Sequence, residues 1–416
     1  MPRFDNPSVA RYNLRMNLGL IPFALLAVLI PANDLMSSAM AAEPASPFHK
    51  VAASSLPEVA LEGDLESFKT ALQRQIARCK EQDLNAKFRF GDRVVTRKKW
   101  CVETNQKFLE LAQTSQDFSD LMHRARDQFE WYQTNGRDGK GEVLFTGYNS
   151  PTLHGSLTAT SDFAAPLYKK PADLVQTVEN GKTVWRRKNP DGSFSKHFTR
   201  KEVDIDGALK GKGLELAYST DFFSISKLQT EGSGIFMLHH PDGSVERKFI
   251  NYSASNGHPW VGLTQILRED GVPEESLSLQ GIRRYFAAHP EKMMPALAKN
   301  PSYVYFRFAD NGPFGCDSVQ LSPRHSLAID TTVFPQGVVT FFQTQRPEFS
   351  GEDFSKWKDF STFAVTQDTG GAIVGPGRVD YYLGDDDYAE LASNKMHSLG
   401  TLFMAISPEE KRQGAL

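Results

Sequence analysis

Three aspartates in the carboxy-terminal part of the chain have the side-chain type and the setting for acid–base chemistry. Asp330 ends the run SLAID, Asp368 ends FAVTQD, and Asp380 lies within RVDYY. Each ends or interrupts an apolar run typical of a β-strand, so the three carboxyl groups can converge where strand ends meet on one side of a barrel. The alternative is that each is an ordinary turn residue, because aspartate is favoured at turns for its local hydrogen bonds.

Asp380 has the least turn-like setting of the three. Val379 precedes it, and Tyr381 and Tyr382 follow it. A carboxylate inside a strand-like run reduces stability unless it has a partner or a use. This position therefore indicates a functional acid.

The segment between the last two aspartates contains four glycines, at positions 370, 371, 375 and 377. Positions without a side chain let the backbone approach a bulky ligand closely. Gly370 and Gly371 are therefore candidate ligand-binding positions. A tight turn between two barrel strands is the structural alternative, and both interpretations can hold together.

Other catalytic motifs are missing from the sequence. There is no HExxH zinc motif, no GxSxG nucleophile elbow, no GxxxxGK[ST] phosphate loop and no GxGxxG after a strand. The cysteines Cys79, Cys101 and Cys316 form no CxxC pair that would indicate a zinc site. We therefore expect neither a metal nor a cofactor. Cys79 and Cys101 can form a disulfide that leaves Cys316 single, or all three can be buried free thiols.

Composition and charge indicate a globular protein. The chain has 416 residues, of which 40% are hydrophobic and 11% aromatic, enough for a sizeable core. The net charge is −3 and the basic residues are dispersed. Nucleic acid is therefore an unexpected partner.

The amino-terminal segment has the order of an export signal. Arg3, Arg11 and Arg15 precede an apolar run, which is followed by the small-residue pattern Ala39-Met40-Ala41. We predict a signal peptide over residues 1–42; an uncleaved anchor that holds the protein at a membrane is the alternative. Residues 43–60 are rich in Ala, Ser and Pro and are predicted to be a flexible lead-in.

The periodicity of apolar residues predicts a mainly β chain with helices. Residues 62–132 and 263–301 have apolar positions at helical spacing, whereas 141–255 alternate short β-type runs with turns such as NPDGS and HPDGS. Six further strands are predicted after Pro301, with no long helices between them. Such a series argues for a barrel or a sandwich and against a doubly wound sheet.

Seven short sequence blocks follow one another along the chain: TGYNSP (146–151), EGSG (231–234), NYSASNGHPW (251–260), SLQGIRRYF (278–286), NPSYVYFRF (300–308), LSPRHSLAID (321–330) and QDTGGAIVGPGRVDYYLG (367–384). In this order they resemble one known family, the membrane-bound lytic transglycosylases A (MltA) of Gram-negative bacteria. Seven blocks in one order are more specific than any single motif.

The resemblance implies a fold and an activity. The fold is a double-psi β-barrel domain over residues 61–154 and 273–416, with a β-rich domain inserted at 155–272 and a glycan groove between the two. The activity is cleavage of the β-1,4 bond between N-acetylmuramic acid and N-acetylglucosamine in peptidoglycan, with formation of a 1,6-anhydro end. The implied partners are glycan strands in the periplasm, together with other cell-wall enzymes.

The resemblance also implies roles for individual residues. Asp380 matches the family's single catalytic acid, and Asp368 and Asp330 would tune that acid and bind glycan. Tyr148 would form a sugar platform and Ser150 would offer a hydroxyl to the ligand. Structural roles remain an alternative for all four supporting residues.

Some features depart from the family pattern. Asn149 and Ser150 replace the usual residues of the first block, and Glu231 replaces a glutamine, with no role that the sequence assigns. A lipid-attachment cysteine is missing, and residues 185–198 form an additional hairpin-like stretch. Two other functions therefore stay open: a non-catalytic glycan-binding protein, and a scaffold that recruits other wall enzymes.

Overall fold

A computed structural model describes residues 46–58, 60–180 and 182–409. The predicted signal peptide at 1–42 lies outside the described residues. Nineteen strands are found: β1 (Phe48–Val51), β2 (Lys87–Phe90), β3 (Arg93–Thr96), β4 (Glu130–Thr134), β5 (Val143–Tyr148), β6 (Thr152–Ser156), β7 (Ala165–Tyr168), β8 (Leu174–Glu179), β9 (Lys182–Lys188), β10 (Phe194–Ser195), β11 (Glu215–Ser219), β12 (Ser233–His239), β13 (Val245–Ser255), β14 (Val304–Ala309), β15 (Ser326–Ala328), β16 (Val339–Ser350), β17 (Asp353–Asp368), β18 (Arg378–Tyr382) and β19 (His397–Ile406), within the ranges given above.

Helices are a minority of the described residues. They are α1 (Leu65–Lys80), α2 (Thr104–Thr114), α3 (Phe118–Ala125), α4 (Arg200–Asp204), α5 (Phe222–Glu231), α6 (Leu263–Glu269), α7 (Leu279–Ala288), α8 (Pro290–Ala298) and α9 (Asp387–Lys395), with a π-helical turn at Lys98–Glu103 and short 3-10 turns at Ala53–Ser55 and Glu274–Ser276.

The larger sheet closes into a six-stranded barrel. The strand order of the sheet is β1-β4-β19-β16-β17-β15-β18-β5. An additional pairing of β5 with β19 closes the six strands from β19 to β5 into a ring, and β4 and β1 extend the sheet from β19. The barrel interior is filled by alternate side chains, among them Phe145, Leu327 and Phe342, which are fully buried. The mainly β fold with a closed barrel that the sequence predicted is confirmed.

The helices α1, α2 and α3 cover one face of the barrel. Asp64 begins α1 by accepting a hydrogen bond from the backbone N–H of Glu66, and Phe68 and Leu72 on its apolar face are fully buried. They pack against barrel residues such as Phe363. Cys79 of α1 and Cys101 are paired as a disulfide, and Cys316 is an exposed free thiol.

A second β unit has a six-stranded sheet in the order β14-β13-β12-β6-β11-β7. Helix α5 packs on this sheet through Ile225 and Leu228. Tyr305 of β14 and Tyr303, just before that strand, contribute to a separate core that also includes Leu174 of β8. The hairpin predicted within 185–198 is present as β9 and β10, and β9 also pairs with β8 to make a three-stranded sheet.

The structure differs from the sequence predictions in three segments. Residues 48–51, expected in a flexible lead-in, pair with β4 as an ordered strand because Phe48 fills the core. A β-hairpin, β2–β3, interrupts the region expected to be helical. Strand β14 pairs with β13 in the six-stranded sheet, although its residues lie in the range 273–416 assigned to the barrel domain. The domain limits at 154/155 and 272/273 stay predictions.

Candidate active site

Strand β18 holds Asp380 in the barrel wall. Its neighbours across the sheet are Ala328 of β15 and Thr146 of β5. This register places the Asp380 side chain beside that of Thr146. Although Asp380 is only partly buried as a residue, its Oδ1 atom is shielded from solvent and has no hydrogen-bond partner among the described residues.

Burial disfavours the charged form of Asp380. Desolvation raises its pKa from 3.8 to about 6, and the nearby carboxyl group of Asp368 acts in the same direction. A hydrogen bond from the Thr146 side chain and the charge of Arg378 oppose the rise in this pKa. Asp380 is therefore a carboxyl group that can hold a proton near neutral pH.

Asp368, the last residue of β17, has a different surrounding. Its Oδ1 accepts hydrogen bonds from the backbone N–H groups of Cys316, at 2.9 Å, and Thr369, at 2.8 Å. Its Oδ2 accepts one from the Tyr148 hydroxyl at 2.9 Å. Desolvation raises the pKa of Asp368 to about 6, and these three hydrogen bonds oppose the rise. All three donors stabilise the carboxylate form.

Asp330 belongs to a separate arrangement. Its Oδ1 accepts hydrogen bonds from the Thr332 backbone at 2.9 Å and hydroxyl at 2.6 Å, and its Oδ2 accepts one from the Gly375 N–H at 2.7 Å. Partial burial raises the pKa of Asp330, but these hydrogen bonds outweigh that effect and hold the pKa below its usual value. Asp330 thus ties the glycine-rich segment to the end of β15.

A cavity of about 1050 Å³ separates the six-stranded sheet from the barrel. One wall comprises the end of α5, β13 and β14, and the other comprises the 314–318 loop and the end of β17. Asp368, Gly370, Gly371 and Glu231 line it. Among the described residues, the cavity lining includes Asp368 and Glu231, the two acidic neighbours of Asp380, but not Asp380 itself.

The other predicted site residues lie on the segment that follows β5. The Tyr148 ring packs against Tyr382, with centroids 5.2 Å apart, and its hydroxyl bonds to Asp368 as described. The Ser150 hydroxyl is 2% exposed and lies 2.9 Å from the Tyr382 hydroxyl. Tyr148 is thus part of the carboxyl network, and Ser150 is bonded to Tyr382 in the interior. The ligand-binding role of Ser150 stays a prediction.

Glu231 is the residue whose role the sequence did not assign. It is the last residue of α5, and its carboxyl group interacts electrostatically with Asp380. Desolvation raises its pKa to about 8; the charge of Asp380 adds to the rise, and Lys227 opposes it. In the sequence, the only indication that Glu231 belongs to the site is that an acid begins EGSG, a block whose other residues are all small.

The described residues show no group of three or more His, Cys, Asp or Glu side chains that could hold a metal ion. Within the same residues, no helix has the length and apolarity needed to cross a membrane.

Comparisons with known proteins agree with this geometry. The family model "MltA specific insert domain" matches residues 144–307, and the "3D domain" model matches residues 325–404. The chain belongs to the MltA family.

Two curated relatives of this MltA-family protein carry the name membrane-bound lytic murein transglycosylase A. The Escherichia coli K12 protein is 29% identical over 256 residues, which are 61% of this chain and 62% of the relative. The Vibrio cholerae protein is 29% identical over 274 residues, which are 65% of this chain and 67% of the relative. The match therefore spans less than two thirds of the length of the E. coli relative.

A solved MltA structure has the same fold. The crystal structure of E. coli MltA with bound chitohexaose superposes with a TM-score of 0.66 at 22% sequence identity, covering 88% of this chain and 96% of that one. In the MltA-family chain, the three aspartates fall within the range of the 3D domain model. Tyr148, Ser150 and Glu231 fall within the range of the insert model.

Proposed function

We propose that this protein is a peptidoglycan lytic transglycosylase. It cleaves the β-1,4 bond between N-acetylmuramic acid and N-acetylglucosamine and leaves a 1,6-anhydromuramic end. The names of the E. coli and V. cholerae relatives support this activity. The cleft between the barrel domain (61–154 and 273–416) and the inserted domain (155–272) would hold the glycan.

The observation that carries the proposal is the unequal hydrogen bonding of two neighbouring acids. Asp368 accepts three hydrogen bonds, two from backbone N–H groups that can only donate and one from the Tyr148 hydroxyl. Protonating Asp368 would add a donor to a carboxyl group that is already surrounded by donors. Asp380 has a buried oxygen with no partner, and such an oxygen favours the neutral acid. Asp380 is therefore the member of the pair that holds the proton.

A neutral Asp380 can perform both proton transfers of the reaction. It first donates its proton to the glycosidic oxygen, and the bond from that oxygen to the anomeric carbon of the muramic residue breaks. The resulting carboxylate then accepts the proton of the same sugar's 6-hydroxyl, whose oxygen bonds to the anomeric carbon. Asp380 ends as it began, and no water is consumed. Hydrolytic glycosidases divide these roles between two carboxyl groups.

Other residues would hold the glycan in the cavity lined by Asp368, the acidic neighbour of Asp380. Gly370 and Gly371 line the cavity without side chains; a Cβ atom at Gly371 would have no neighbour within 4 Å, so the backbone there is open to a ligand. Tyr148 would orient Asp368 through the hydrogen bond from its hydroxyl. Ser150 and Asp330 support the site through Tyr382 and Gly375. The E. coli MltA structure was determined with bound chitohexaose, which supports a glycan as the ligand.

The location and further partners are part of the same proposal. The relatives are named membrane-bound, and the basic and apolar residues within 1–42 fit an export signal. We propose that the protein acts in the periplasm on glycan strands, free or held at a membrane by an uncleaved segment. Other cell-wall enzymes would be its protein partners.

Isolated sacculi test the activity. The wild-type chain should release muropeptides with anhydro ends, detected by mass spectrometry, and Asp380→Asn should release fewer by at least a thousandfold. Asp162→Asn, which changes an exposed aspartate of the insert, is the matched control and should match the wild type. Sacculus binding by the wild type without any anhydro product would instead identify a non-catalytic glycan-binding protein. Equal release by wild type and Asp380→Asn would remove Asp380 from the mechanism.

A further inference from the structure

Glu231 lies at the junction of two cavities. It ends α5, where Gly232 adopts a left-handed conformation with φ of 81° and turns the chain into β12. On one side it lines the 1050 Å³ cavity that Asp368 also lines. On the other side it lines a cavity of about 310 Å³ that includes Trp260 and Asn394. A ligand that fills both cavities would pass the Glu231 side chain.

None of the described cations forms an ion pair with the Glu231 carboxyl group. Lys227, one turn earlier on α5, acts on Glu231 electrostatically, but its ammonium group is paired with Glu390 of α9 at 3.0 Å. Glu390 in turn is paired with Arg283 of α7 at 2.9 Å. Within the described residues, no cation lies within ion-pair distance of the Glu231 carboxyl group. The Asn149 backbone N–H is the polar group that faces it from the segment after β5.

Asp380 of β18 acts on Glu231 electrostatically. Asp380 pairs across the sheet with Thr146 of β5, and the N–H of Asn149, just after β5, faces Glu231, so both carboxyl groups lie beside the same segment. Two nearby carboxyl groups without a cation between them resist carrying two negative charges, so such a pair keeps one proton after the other has left. If the first proton is that of Asp380, the second remains on Glu231.

We propose that Glu231 is a positioning residue that stays neutral beside Asp380 during the reaction. This inference rests on the proposed function. When Asp380 gives its proton to the glycan, its new negative charge then faces a neutral carboxyl group. Ionised Glu231 would oppose that charge and slow the step. Glu231 therefore limits activity at alkaline pH separately from Asp380.

The pH dependence of Glu231→Gln tests the inference, because glutamine keeps the size and cannot ionise. Burial and the charge of Asp380 raise the pKa of Glu231 to about 8, so the wild-type rate should fall more steeply than the variant rate above that pH. The variant should be slower than wild type at pH 6 by about threefold, since an amide replaces the hydroxyl donor. The ratio of variant to wild-type rate should then rise about tenfold between pH 7 and pH 9. Glu246→Gln, at an exposed position of β13, is the control and should give a constant ratio.

Two outcomes would overturn the inference. One is a ratio that stays constant from pH 7 to pH 9. The other is a Glu231→Gln variant that is folded yet inactive at every pH, which would mean that Glu231 supplies its own proton or charge.

A measurement without turnover separates this inference from the proposed function. The melting temperature of wild type, relative to Glu231→Gln, should fall between pH 5 and pH 8 and level off above pH 8. In the unfolded chain Glu231 ionises near its usual pKa of 4.5, whereas in the folded chain it keeps its proton to about pH 8. If the wild type releases no anhydro product but the melting temperatures diverge, the function fails and the neutral state of Glu231 stands. If product forms and the melting temperatures do not diverge, the proposed function stands and the neutral state of Glu231 is refuted.

Discussion

Replacing Asp380 with asparagine should stabilise the protein at alkaline pH while abolishing its activity. The two side chains are nearly the same size, and asparagine carries no charge to bury. The expected gain comes from removing an ionised carboxyl group from a site that disfavours its charge.

The magnitude follows from the pKa of Asp380, which burial raises from 3.8 to about 6. Below the lower value the acid is protonated in both the folded and the unfolded chain, so its ionisation has no effect on stability. As the pH rises through this window, the unfolded chain ionises first and the folded state loses stability, by about 3 kcal/mol in all. Between pH 4 and pH 8 the asparagine variant should therefore gain about 2 kcal/mol relative to wild type.

Urea unfolding with the disulfide intact measures this difference. The free energies of unfolding of wild type, Asp380→Asn and the exposed control Asp162→Asn would be compared at pH 4 and pH 8. Using the change between the two pH values cancels any effect of the substitution that does not depend on ionisation. A difference between Asp380→Asn and wild type that is the same at both pH values would show that Asp380 is not a buried acid with a raised pKa.

Three further substitutions probe the surroundings of the acids. Tyr148→Phe removes the hydroxyl donor to Asp368, so product release should fall about 10- to 100-fold, in line with a hydrogen bond to a charged group; unchanged release from sacculi would show that this bond is dispensable. Gly315→Ala would place a Cβ atom 2.2 Å from the Gln367 carbonyl oxygen, so the loop that presents the Cys316 N–H must move, with a loss of about 1–3 kcal/mol in urea unfolding and lower release; a fully stable, fully active variant would contradict the close packing. Changing both Cys79 and Cys101 to alanine should lower the free energy of unfolding by about 3 kcal/mol, because their disulfide spans a separation of 22 residues; equal urea midpoints with wild type would count against a formed disulfide.

Much of the barrel could be predicted because its strands are locally recognisable. The six runs after Pro301 alternate or concentrate apolar residues, and each appears as a strand, β14 to β19. The turns at NPDGS and HPDGS also lie between paired strands. Local pattern, however, does not specify the partner of a strand. That is why β14 was assigned to the barrel side, whereas it extends the six-stranded sheet.

The sequence also predicted part of the site, because some of its residues stand at the ends of recognisable strands. Asp330 and Asp368 have the same setting in sequence, each at the end of an apolar run, yet one tethers Gly375 and the other lines the cavity. The difference comes from backbone N–H groups of distant loops, such as that of Cys316, which leave no mark in the residue types. Glu231 and Asp380 influence each other only because the folded chain brings the end of α5 and strand β18 to the same segment after β5. Long-range packing of this kind cannot be read from spacing.

The order in which two carboxyl groups lose their protons tests the central claim most directly. Carbon-13 NMR of aspartate-labelled protein follows each carboxyl group through a pH titration, and Asp380→Asn and Asp368→Asn assign the two signals. Burial raises the pKa of both carboxyl groups to about 6. Because three donors surround Asp368 and one Asp380 oxygen has no partner, Asp368 should ionise at the lower pH of the two and Asp380 at the higher. An Asp380 signal that titrates near pH 3.8, or before that of Asp368, would contradict its assignment as the proton donor.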